Sequence, residues 1–210
     1  MPQSTSFLVD RFQERCDEAL DLAQTVEATT TFLHTRRLYV YEAAYLLAFS
    51  AWETFLEQVL LRFMCGYQNS LGTPTSTGTW PRPATLAAAH ATLLTIGPRP
   101  QPFLLWHNPQ GVVQRSRLCF LNGPHEAVLS TVLVEVTDLA AVRHHVAHRT
   151  DDTKTKFQDA ALRMSGTVVL GGRAGRFLRS STQDPVTAEQ MTWLERACLD
   201  LSRYARQIAG

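Results

Sequence analysis

The sequence predicts an all-α fold, a helical bundle with a small β-hairpin near residues 166–180. Three observations carry this. Apolar residues recur at helical spacing over long stretches, glycine and proline fall mostly between those stretches, and strand-like signals with paired glycines are confined to one short segment. The chain has 210 residues, 45% of them hydrophobic and 19% charged, so it has enough apolar surface for a sizeable core, and one domain over 1–210 is expected.

The first helix is expected over Phe7–Ala28, where Leu8, Phe12, Ala19, Leu22 and Val26 fall on one side. The strongest lies over Arg36–Met64, with Trp52, Phe55, Leu56, Val59, Leu60, Phe63 and Met64 at alternating steps of three and one. Gly66 stops it. The segment from Gly66 to Pro83 has no periodicity and many turn formers, which predicts a mobile loop. A short helix is expected over Ala84–Thr95, a break at Gly97–Pro102, and another short helix over Pro109–Phe120. Asn122-Gly123-Pro124 then caps a helix expected to run unbroken from His125 to His148; its β-branched run Ala127–Val136 is strand-like, but length and capping favour helix. A short helix near Phe157–Met164, a hairpin insertion over about 165–182 with its strand pairing between Val168 and Leu178, and a last amphipathic helix opened by Asp184-Pro185 complete the expectation.

Net charge is +1, too small for the whole molecule to adhere to nucleic acid or anionic membrane by charge alone. The distribution is uneven. Residues 1–60 hold four Arg against nine acidic residues, whereas 143–179 hold eight Lys or Arg against three Asp, so a polyanion should meet the second stretch. Cys16, Cys65, Cys119 and Cys198 are far apart with no CxxC, which fits reduced thiols better than a disulfide framework or zinc knuckle. Met1–Asp10 lacks the basic start of a leader, and the longest apolar window, Ala43–Trp52, is far short of the ~20 residues a span needs. A cytoplasmic protein with no membrane segment is expected.

Chemistry concentrates in Val142–Arg149, VRHHVAHR, at the end of a long helix. Leu129, Val132, Val136, Leu139, Arg143 and Val146 form one stripe, so Arg143 interrupts an apolar seam and must find a partner or line a cleft or interface. Thr137, Ala141, His144 and His148 form a second stripe that sets two imidazoles one turn apart. Arg143 and His148 are separated by about 140° around an ideal helix, so they share a groove only if the helix end loosens or a second chain completes the site.

Arg143, His144 and His148 resemble the nuclease motif of the HEPN superfamily, an Arg followed after four to six residues by a His, with a polar residue often following the Arg. The Trp- and Glu-bearing helix Leu47–Leu60 is similar to the second helix of many members, and together these features cover about half of the chain. The resemblance implies a helical bundle that forms a homodimer with two motifs facing one cleft. It also implies metal-independent RNA cleavage with no cofactor, in a toxin or defence setting with an antitoxin or defence-system partner. On this reading Arg143, His148 and His144 are catalytic, while His145, Arg149 and Lys154 bind substrate. The residue types suit the chemistry: a near-neutral imidazole moves protons during attack by a 2′-hydroxyl, and a permanently charged guanidinium stabilises the phosphate charge that builds up. RNA is favoured because DNA lacks the attacking group. The chain departs from the branches that accept nucleotidylation, which carry Tyr two residues after the His, where Thr150 stands.

Plainer readings stand beside these. His144, His145 and His148 could be metal ligands, although only Asp151 and Asp152 lie near to complete a set. Arg143 could be a structural ion-pair partner of Glu53 or Glu57. A non-catalytic HEPN-like module that binds RNA, nucleotide or a partner protein is the alternative function. His34, His90, His107 and His125 are isolated, and Gly171-Gly172 with Gly175 reads as a turn rather than a phosphate loop.

Overall fold

The computed structural model describes residues 4–75, 78, 81–97 and 103–210. Among them are nine α-helices: α1 Ser6–Ala28, α2 His34–Met64, α3 Leu86–Thr95, α4 Pro109–Cys119, α5 Pro124–Leu129, α6 Leu133–His148, α7 Asp151–Ser165, α8 Ala174–Arg179 and α9 Trp193–Ala209. A single two-stranded antiparallel sheet pairs β1, Ser181–Gln183, with β2, Gln190–Thr192. The predicted all-α class with one small hairpin is therefore what these residues adopt. The expected break at Gly97–Pro102 falls almost wholly outside the described residues.

The chain divides into two compact units, Met1–Phe12 with Trp52–Leu133 and Ser202–Gly210, and Gln13–Ala51 with Val134–Leu201. Helices α1, α2 and α9 each contribute one part to each unit.

In the first unit the apolar stripe of α2 is buried as its spacing requires: Trp52, Leu56, Val59, Leu60 and Phe63 are fully buried, and each such side chain contributes roughly 1.5–3 kcal/mol. Phe12 packs on Trp52 and Phe55 at ring distances of 5.9 and 5.7 Å. His125, isolated in sequence, is fully buried; its Nε2–H donates to the Leu56 carbonyl at 3.0 Å and its ring meets the Phe63 ring edge-on. Thr85 caps α3 and Asn108 caps α4, each through a side-chain oxygen. The described part of the expected 66–83 loop carries internal hydrogen bonds. Asn69 Oδ1 accepts from the Leu71 and Thr73 amides, and the Ser70 amide donates to the Ala209 carbonyl.

In the second unit, Glu42 meets Arg149 and Tyr45 meets Leu139, so the first half of α2 runs antiparallel to α6. A row of rings fills the core, with His145 stacked on Phe157 at 4.9 Å, Phe157 against Phe177 at 6.0 Å and Phe177 against Trp193 at 5.1 Å. Two carboxylates are held by bidentate arginines, Asp138 by Arg163 and Glu27 by Arg179.

Four sequence expectations are corrected. The helix expected over His125–His148 is two helices, α5 and α6, parted at Ser130–Val132. There the Thr131 amide and hydroxyl both donate to the Val128 carbonyl, while the Ser130 amide keeps its helical bond to Glu126; at Thr131 this is the local competition that disfavours Ser and Thr inside helices. The hairpin is displaced from 166–180 to 181–192. Gly171 and Gly172, at φ +76° and +61°, form a 3₁₀ turn, and Ala174–Arg179 is helical because Ala174, Phe177 and Leu178 bury one face. Gly175 lets that helix reach α2, since a Cβ there would lie 2.2 Å from the Leu38 carbonyl oxygen. Asp184-Pro185 makes the hairpin turn instead of opening the last helix: Asp184 Oδ1 accepts from the Val186 and Thr187 amides. Helix α9 starts at Trp193, with Thr192 and Glu195 exchanging cap hydrogen bonds. The helix expected from Phe157 begins earlier, at Asp151, behind a Thr150/Thr153 capping box.

Candidate active site

The motif occupies the last turns of α6. The face of this helix carrying Asp138, Leu139, Val142, His145 and Val146 is buried, whereas Arg143 and His144 are half-buried and His148 is exposed. The 3.6-residue period therefore turns successive motif residues to different surroundings.

His144 and His148 meet as their spacing predicts, with ring centroids 5.9 Å apart. Arg143 is half-buried and lies near enough to Tyr45 for its charge to act on it; the Tyr45 hydroxyl donates to the Leu139 carbonyl at 2.7 Å. Burial holds the Tyr45 hydroxyl well above its ordinary pKa, and the positive charge of Arg143 acts against that shift.

His145 turns the other way. Its Nε2–H donates to the Gly172 carbonyl at 2.6 Å, Nδ1 is 3.4 Å from the Thr153 hydroxyl, and its ring stacks on Phe157. It walls a pocket and fixes the Gly171–Arg173 segment against α6. The three histidines thus do not converge on one point, and no group of three or more His, Cys, Asp or Glu side chains among the described residues is placed to hold a metal ion.

Helix α6 ends at Arg149, a non-glycine residue in the left-handed region at φ +45°. Such a conformation costs about 1–2 kcal/mol and persists where its surroundings hold it. Here Nη2 donates to Glu42 Oε2 at 2.5 Å and the guanidinium lies 5.3 Å from the Tyr39 ring centroid. Glu42 is nearly buried and its Oε1 accepts from the Gly175 amide at 3.1 Å, so both oxygens are satisfied. Lys154, in the first turn of α7, lays its methylene stem over Gly172, where a Cβ would come within 2.8 Å of Lys154 Cε.

His145, Arg149 and Lys154 accordingly line one pocket of about 220 Å³, with Tyr39, Glu42 and Arg173 among its other walls. Sequence reasoning brought His144 to His148 and grouped the three pocket residues. It missed Tyr39, Glu42 and Arg173. Glu42 lies in the acidic first 60 residues, and no local pattern marks it as a partner of Arg149; Arg173 belongs to the basic stretch but lies beside the paired glycines read as the turn of a hairpin.

No protein-family model, curated protein or solved structure matches this chain in the corresponding searches. No helix among the described residues is long and apolar enough to cross a membrane.

Proposed function

We propose that the chain is a metal-independent RNA endonuclease of the HEPN type, acting in a toxin or defence setting. The observation that carries this is the pairing of His144 and His148 at 5.9 Å on the last turns of α6, with His148 open to solvent. In the reaction one imidazole takes the proton of an RNA 2′-hydroxyl. The hydroxyl oxygen attacks the adjacent phosphorus, the bond to the 5′-oxygen breaks, and an imidazolium protonates that leaving oxygen. The products are a 2′,3′-cyclic phosphate and a 5′-hydroxyl. Arg143 stabilises charge on the phosphate oxygens, and Arg149 and Lys154 hold the RNA backbone.

Arg143 and His148 are about 140° apart on a continuous helix. A homodimer in which Arg143 of one chain and His148 of the other meet at a shared cleft removes that difficulty. Mixing an Arg143→Ala chain with a His148→Ala chain tests the division of labour. Recovery of part of the activity in the mixed dimer is expected, and a fully active monomer would refute the shared cleft.

The alternative is a non-catalytic module binding RNA, nucleotide or a partner, favoured by the pocket's basic walls lying on a different face of α6 from the exposed His148. That reading expects binding with no cleavage products and no effect of His148→Ala.

A further inference from the structure

We propose that the pocket walled by Arg149, Lys154 and Arg173 is a subsite for a phosphate monoester, the terminal phosphate of an RNA end or of a nucleotide. The inference deepens the RNA reading and rests on it for the role of Arg149 and Lys154, but phosphate binding is measurable where no cleavage occurs.

Charge comes first. Three permanent cations and one carboxylate, Glu42, face the pocket, which leaves two positive charges. Glu42 is fully engaged by Arg149 and the Gly175 amide, and neither Lys154 nor Arg173 makes an ion pair with a described carboxylate. Two cations without a carboxylate partner among the described residues therefore face the same space. A monoester phosphate near neutral pH carries close to two negative charges, against one for the diester inside an RNA chain, so the balance favours a chain end.

Size agrees. About 220 Å³ is below the roughly 300–1,000 Å³ of pockets that enclose drug-sized ligands, so the cavity takes a phosphate and leaves the nucleoside at its mouth. The walls are also held before any ligand arrives. Glu42 fixes the Arg149 guanidinium, His145 fixes the Gly172 carbonyl, and the Lys154 stem lies on Gly172. Pre-positioned donors lose little freedom on binding. The polar groups of the pocket that do not point to an anion, Glu42 and the Gly172 carbonyl, are the ones already consumed by internal hydrogen bonds.

Calorimetric titration of the full chain at low ionic strength tests this, with inorganic phosphate, adenosine 5′-monophosphate and adenosine as probes. Two 2′-O-methyl RNA oligonucleotides, one with a 5′-phosphate and one with a 5′-hydroxyl, report the source. Phosphate and the monophosphate should bind and adenosine should not. Lys154→Ala and Arg173→Ala, both at exposed positions, should each weaken binding about tenfold, while Lys154→Arg retains most of it. Tighter binding of the 5′-phosphorylated oligonucleotide than of the monophosphate would identify an RNA end, and exclusion of the oligonucleotide a free nucleotide. Binding should survive His148→Ala, which separates this subsite from the cleavage reading. Absence of binding by phosphate and monophosphate, equal binding of adenosine, or affinities unmoved by Lys154→Ala and Arg173→Ala would overturn the proposal.

Discussion

Arg149 and Glu42, 107 residues apart in the chain, meet at 2.5 Å between Nη2 and Oε2, and the pair ties the end of α6 to the first half of α2. The two ends of the contact differ: the Glu42 side chain is 10% exposed and that of Arg149 is 53% exposed. Loss of the arginine therefore leaves a nearly buried carboxylate without its cation, whereas the arginine itself is well solvated.

Arg149→Ala should lower unfolding free energy by about 1–2 kcal/mol, less than a fully buried pair would, because solvent screens the exposed guanidinium. Arg149→Gly loses the same contact but relieves the left-handed conformation, so it should be more stable than Arg149→Ala by about 1 kcal/mol. Urea denaturation of the two variants side by side measures the difference. Equal stabilities would show that φ +45° carries no strain here.

His125 gives the fold a pH dependence of defined sign. Burial pushes its pKa down from 6.5 to about 4, against a smaller opposing effect of the hydrogen bond to Leu56. In the unfolded chain the imidazole takes a proton below about pH 6.5 that the folded chain refuses until about pH 4. Its contribution is therefore level above pH 6.5, and stability falls as pH drops from there toward 4, by about 3 kcal/mol in all. Carboxylates titrate in the same window, so the measurement is the difference between wild type and His125→Gln, whose amide can still donate to Leu56. The wild type should show the steeper acid loss; parallel curves would mean that His125 is protonated in the fold.

Gly175 is the tightest approach in the second unit. A methyl group there would sit 2.2 Å from the Leu38 carbonyl oxygen, a backbone atom that cannot rotate away. Gly175→Ala should cost about 3 kcal/mol or prevent folding, whereas Gly166→Ala, at φ +68° with open space around it, should cost only about 1 kcal/mol. Thermal melts of both variants give the ranking, and a Gly175→Ala chain as stable as wild type would contradict the packing of α8 on α2.

These residues also mark how far the sequence could be read. The α2 stripe from Trp52 to Met64 and the His144–His148 pair were legible because both depend on spacing within one helix, and each appears as that spacing demands. The α5–α6 break was not, since an apolar, β-branched run hides the local hydrogen bonds of Thr131 to the Val128 carbonyl. The hairpin was found but misplaced, because paired glycines in Leu170–Gly172 close a 3₁₀ turn as readily as a strand turn. Glu42 and Arg173 were invisible as pocket walls for a different reason. Their meeting with Arg149 and Lys154 depends on tertiary packing between segments that carry no shared pattern.

On the proposed reading, the paired imidazoles at the end of α6 cleave RNA without a metal. Incubation of the purified chain with mixed RNAs in EDTA, followed by analysis of the product ends, tests it most directly. The expected result is cleavage that persists in EDTA, leaves 2′,3′-cyclic phosphate ends, disappears in His148→Ala while the melting temperature is unchanged, and weakens in His144→Ala. Intact RNA after incubation with the wild-type chain, or cleavage abolished by EDTA and restored by zinc, would contradict it.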